Sequence, residues 1–122
     1  MITQQTIVAT VATGETGATA DSSFIGGEIL KVAMDVTGNS MDINLDSLGE
    51  KKAQAIIDYT GNTDSTFYPR IASQDNTGTT LKYLSTDTAT VGVPYVIYGK
   101  LRLTLASAAE AETVTMTITY RT

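Results

Sequence analysis

A chain of 122 residues, 42% hydrophobic, is long enough for one domain with its own core, while 8 Lys and Arg against 13 Asp and Glu give net charge −5, the wrong sign for gripping nucleic acid through its phosphates. Cys and His are both absent, which excludes disulfides, thiolate and imidazole metal ligands, thiol nucleophiles and every Ser-His-Asp or Cys-His arrangement. No stretch approaches the roughly 18 apolar residues of a membrane span, and Met1–Thr6 lacks the basic start and apolar run of a secretory signal; the expectation is a soluble single-domain protein that stays in the cell that makes it, with neither a membrane nor a nucleic-acid partner.

Residues 2–12, with Ile7, Val8 and Val11 among Thr and Ala, predict a first strand, followed by turn residues Thr13-Gly14-Glu15-Thr16-Gly17. Ala18 to Ser23 reads as a polar connection. From Gly26 the run Glu28–Val36 puts Leu30, Val32, Met34 and Val36 on one face of a strand, with Glu28, Lys31 and Asp35 at exposed or edge positions. Thr37-Gly38-Asn39 then turns the chain into Met41-Asp42-Ile43-Asn44-Leu45-Asp46, a second alternating run, so the pair reads as a hairpin.

At Ser47-Leu48-Gly49-Glu50 the period changes. Ser followed three residues later by Glu fits a capping box, and Leu48, Ala55, Ile56 and Tyr59 fall on one helical face, which predicts a short helix from about Leu48 to Asp58, ended by Thr60-Gly61-Asn62. Thr66–Ser73 reads as a strand broken by Pro69, whose missing amide places it at an edge or bulge. Asp75-Asn76-Thr77-Gly78 is a turn before a short strand over Thr80–Leu84, and Pro94–Tyr98 leads through Gly99, a candidate bulge where the chain changes sheets, into Leu101–Leu105. Thr113–Tyr120 alternates Thr with Val114, Met116, Ile118 and Tyr120, a strand with one wet and one dry face. The Thr-Gly pairs at 13, 37, 60 and 77 are unevenly spaced turns, not repeats, and no linker divides the chain, so residues 1–122 form one domain, with residues 1–25 an extended arm or an edge strand.

Asp42, Asn44 and Asp46 place three oxygen-bearing side chains on one strand face, a set that a hard cation such as calcium accepts. Residues two apart on a strand lie roughly 7 Å apart, so these read as a solvated face. Gly26-Gly27 has no phosphate-loop context and reads as a strand start. No catalytic residue, metal, cofactor or small-molecule substrate is expected.

Six Tyr residues are spread over most elements, and Tyr suits interfaces because its ring is buried while its hydroxyl finds a partner. Tyr68 and Arg70, flanking Pro69, are the candidate partner contact, weighed against a rim Tyr beside a surface Arg. The Thr row at 113, 115, 117 and 119 has two readings as well: water-facing sheet, which is preferred, or a flat uncharged face covered by a neighbouring subunit.

Gly26–Asn39, Met41–Leu45, Tyr68-Pro69-Arg70 and Gly99–Leu103 before a terminal strand give the chain its resemblance to small virion structural proteins of tailed bacteriophages, of the capsid-decorating or cementing β-sandwich kind. The resemblance covers most of the chain from Gly26 and rests on strand and turn patterns. It implies a non-enzymatic virion protein, assembled in the host cytoplasm, that binds and stabilises a capsid through the major capsid protein, as a homo-oligomer. With the strand pattern, the expectation is an all-β fold, an antiparallel jelly-roll-like β-sandwich with one short helix. The rival reading is a carbohydrate- or receptor-binding β-sandwich module of a phage tail or fibre.

Overall fold

A computed structural model describes residues 1–82 and 91–122, and the expected segment Thr80–Leu84 lies partly outside them. The strands are β1 (Ile2–Thr10), β2 (Ala18–Asp21), β3 (Ile25–Thr37), β4 (Met41–Leu48), β5 (Ala55–Gly61), β6 (Ser65–Phe67), β7 (Ile71–Ala72), β8 (Gly92–Val93), β9 (Val96–Ala106) and β10 (Thr113–Arg121). All pair antiparallel. The fold is an all-β sandwich.

One layer runs β1-β10-β3 with β6 beyond β3, and the other runs β2-β9-β4-β5. β9 joins them at a corner, since Val96–Gly99 pairs with β3 and Lys100–Ala106 pairs with β4. The junction is Gly99, with φ +155° and a position where a Cβ would sit 2.8 Å from the Leu48 carbonyl oxygen. A side chain there would push β4 away from the corner, so Gly permits the sheet change. Odd-numbered residues of β9 and even-numbered residues of β10 turn inward, and Leu101, Leu103 and Leu105 bury against Val114, Met116 and Ile118 in one core.

The run Gly38-Asn39-Ser40 does not make a hairpin. β3 belongs to one layer and β4 to the other, so the connection arches across the sandwich. The β9–β10 connection crosses at the same end, as does the turn after β1. Glu112, buried there, holds them together: its carboxylate accepts from the Ala109 amide at 2.6 Å and from the Asn39 amide, and its carbonyl accepts from Val11 N at 2.9 Å. The Asn39 amide is therefore bound by a side chain 73 residues further on rather than by a facing strand.

Residues 48–58 form no helix; no helix occurs among the described residues. Ser47 Oγ does accept an amide, but from Gln54 at 2.7 Å, while Ser47 N donates to Gln54 O at 2.9 Å, closing a β4–β5 loop. Glu50 accepts from Gln54 Nε2 at 2.8 Å and from Tyr98 N at 3.0 Å. The capping residues are used, but on a loop, because an eleven-residue helix starting at Leu48-Gly49 is marginal by itself and β5 buries both Ile56 and Ile57 at a bulge. A second bulge, in β3 opposite Thr119-Tyr120, leaves Leu30 out of register, so Ile29 and Val32 point inward and Leu30 does not share their face. Ala18–Asp21, expected as a connection, is instead β2, paired with Leu105–Arg102.

Candidate partner interface

The two outer faces of the sandwich differ in chemistry. The outer side of the β2-β9-β4-β5 layer carries Asp21, Asp42, Asp46 and Asp58 around Arg102. Arg102 forms a bidentate pair with Asp21, at 2.8 and 3.0 Å, which holds the Asp21 carboxyl below the usual carboxylate range. Asp46, directly opposite Arg102 in register, has no such partner among the described residues, and its carboxyl is pushed upward by burial and by the Asp58 charge. Asp42 accepts from Thr60 Oγ1 at 2.8 Å. Among the described residues no group of three Asp or Glu is placed to hold a metal ion.

The opposite face is nearly neutral. Antiparallel register fixes its rungs: Thr10–Thr113–Thr37, then Val8–Thr115–Asp35, Thr6–Thr117–Ala33–Thr66, and Gln4–Thr119–Lys31. Side chains bond along the rungs, with Thr10 and Thr113 hydroxyls 3.1 Å apart, Thr6 and Thr117 hydroxyls 3.4 Å apart, and Gln4 Nε2 donating to Thr119 Oγ1 at 3.2 Å. Such cross-strand pairs reduce the number of free donors that covering the face would desolvate.

At one end the face gains exposed apolar side chains. The next rung is Ile2–Arg121–Glu28–Val96, and beyond it Tyr98 pairs with Gly26. Phe24 lies over Gly26 and meets Tyr98 edge to face, with ring centroids 4.9 Å apart. Phe24, Val96 and Tyr98 are 54%, 64% and 76% exposed. Alternation within Val96-Ile97-Tyr98 carries the signal for this cluster: Ile97 is core, so its neighbours must point out. Phe24 has no such signal, because it stands alone in a Ser- and Gly-rich turn.

Tyr68 and Arg70 lie beside β3. Tyr68 is 64% exposed, Pro69 between them is buried, and Arg70 Nη1 donates to Pro69 O at 2.8 Å and to Leu30 O at 3.4 Å. Arg70 thus reaches the bulged carbonyl of β3, while the Tyr68 ring stands in solvent. A shallow hollow of about 200 Å³ lies nearby, lined by Ala33, Met34, Asp35, Asp64, Ser65 and Thr66. It is smaller than most ligand pockets, and Asp64 there accepts from Val36 N at 2.8 Å.

No family model, curated protein or solved structure matches the chain.

Proposed function

We propose that the chain is a non-enzymatic virion structural protein that decorates and stabilises the capsid of a tailed phage, acting as an oligomer. The exposed Phe24–Val96–Tyr98 cluster carries the reading: aromatic residues of this kind anchor protein interfaces, and solvating them in a monomer has no folding benefit. The major capsid protein is the proposed partner of this end, with Tyr68 and Arg70 contributing at the β6–β7 margin. A protein that reinforces a shell needs surface complementarity and no reactive groups, which suits a chain without His or Cys.

The test is addition of the purified chain to capsids that lack it. Saturable co-sedimentation and a higher capsid melting temperature are expected, both lost in the doubly substituted Phe24→Ser, Tyr98→Ser protein. Absence of binding by the unaltered chain would sink the proposal. The exposed Phe24–Tyr98 ring pair also favours a second reading, a sugar- or receptor-binding module. Glycan-array binding in the absence of capsid binding would select it.

A further inference from the structure

We infer that the Thr-rung face of the β1-β10-β3-β6 layer is a two-fold interface with a second copy of this chain. Within the four rungs from Thr10–Thr113–Thr37 to Gln4–Thr119–Lys31, the charged residues are Asp35 and Lys31, both on β3, with the exposed Asp64 beside Asp35 at the β6 edge, where it accepts from Val36 N. Lys31 and Asp35 are four residues apart on a strand, about 13 Å, too far to pair with each other, and among the described residues the one ion pair is Arg102–Asp21.

Their positions are symmetric about the middle of the face. Asp35 lies one rung to one side of Thr6–Thr117–Ala33–Thr66, and Lys31 lies one rung to the other side. Consider a two-fold axis in the plane of contact, running along that central rung. It exchanges the flanking rungs and leaves each strand facing its own equivalent, so Lys31 of each copy meets Asp35 of the other. Sheets packed face to face lie about 10 Å apart, a gap that a lysine and an aspartate bridge together. The same operation sets Thr115 against Thr119, Val8 against Gln4, and Thr117 close to its own equivalent on the axis.

The rest of the face suits burial. Its hydroxyls bond along the rungs, Val8 stands 53% exposed in the middle of the β1 column, and no like charges oppose one another in this arrangement. The opposite face of the molecule is less suited, since its four Asp residues exceed Arg102 and Lys100 and leave it net negative. β1, β10 and the facing part of β3, each about 30 Å long, with the three-residue β6 at their edge, cover about 500 Å² per copy, which puts the total near the roughly 1,000 Å² expected of a specific but weak dimer. The operation also sets the Ile2–Arg121–Glu28 rung over Thr10–Thr113–Thr37, with no like charges opposed, and the Phe24–Tyr98 ring pair lies one rung further out and stays available. The dimer deepens the oligomeric part of the function proposed above, but it is measured on the isolated protein, so its failure and a failure of capsid binding are separate results.

The experiment is sedimentation equilibrium of the 122-residue chain from micromolar to millimolar concentration, with variants checked for fold by circular dichroism. A monomer–dimer equilibrium is expected, weakened by salt. Lys31→Asp and Asp35→Lys should each raise Kd about tenfold, and the double exchange should restore it, because only the signs have been swapped. Thr117→Arg should abolish dimerisation by placing two guanidinium groups on the axis, and Val8→Lys serves if that variant misfolds. A chain monomeric at every concentration overturns the inference. So does a dimer indifferent to these substitutions, a double exchange as weak as the single ones, or a dimer broken instead by Phe24→Ser with Tyr98→Ser.

Discussion

Glu112 ties together the connections at one end of the sandwich. It is 7% exposed, and its carboxylate serves amides in two arches that connect the layers. Gly38 is matched to it: a Cβ at Gly38, where φ is +133°, would overlap the Glu112 carboxylate. Charge-assisted hydrogen bonds contribute about 1.5–3 kcal/mol each, and buried amides left without an acceptor are expensive. Glu112→Ala is therefore expected to cost about 2–4 kcal/mol, while Glu112→Gln, which keeps one acceptor oxygen, costs about half as much. Urea unfolding at neutral pH measures both, and a loss below about 0.5 kcal/mol for the Ala variant would show that solvent replaces the carboxylate without cost. Nothing local in Ala108-Ala109-Glu110-Ala111-Glu112 marks this role, since Glu110 and Glu112 look alike in sequence; Glu110 accepts from the exposed Gly14 amide.

At the scale of elements, Asp46 shows what one strand face costs. Burial pushes its carboxyl above the usual carboxylate range, and the Asp58 charge on β5 adds to this. A folded state that holds the proton more tightly than the unfolded chain is favoured while that proton is bound. The contribution of Asp46 is thus complete below the unfolded value, about 3.9, and is lost as pH rises through the folded one. Asp46→Asn should stabilise the protein at pH near 7 by a few tenths of a kcal/mol once solvent screening is counted, and should match the unaltered protein near pH 3. Urea midpoints at the two pH values test this, and destabilisation at neutral pH would contradict it. The alternation that makes β4 half wet was legible in Met41–Asp46, as were β9 and β10 in theirs. What alternation does not specify is the partner. Gly38-Asn39 looked like a hairpin because its determinant, Glu112, lies far away in sequence, and Ser47 with Glu50 looked like a helix cap because loop and helix satisfy amides with the same side chains. Bulges at Leu30 and Ile56 shift the phase of their strands for the same reason, a register set by a distant neighbour. Within the candidate interface, Tyr68, Arg70 and the Thr row could be read from the chain, whereas the Phe24–Tyr98 contact depends on β3 meeting β9 at Gly26.

At the scale of the whole molecule, the two ends of the described chain meet. β1 pairs with β10 from Ile2↔Arg121 to Thr10↔Thr113, Thr122 N donates to Met1 O at 3.0 Å, and the Met1 ammonium lies 3.4 Å from Thr122 O. The layer thus depends on a pairing that spans almost the whole sequence, the kind of contact whose loop must close before any bonding rewards it. Joining Thr122 to Met1 by a short Gly linker turns β10–β1 into a hairpin. Shrinking that closure from about 120 residues to a few saves about 3 kcal/mol of loop entropy. New ends can be opened between Asn76 and Thr77, in an exposed turn where Asp75 accepts from Thr77 N at 2.8 Å and Thr79 N at 3.1 Å and which lies outside both layers. The permuted chain is expected to fold to the same sandwich and to refold at least about tenfold faster, with its unfolding rate little changed, if β1–β10 pairing belongs to the folding nucleus. Stopped-flow chevrons on both forms provide the comparison. An unchanged refolding rate with slower unfolding would instead place β1 among the last elements to dock, after the β3–β10 and β4–β9 pairs have built the core.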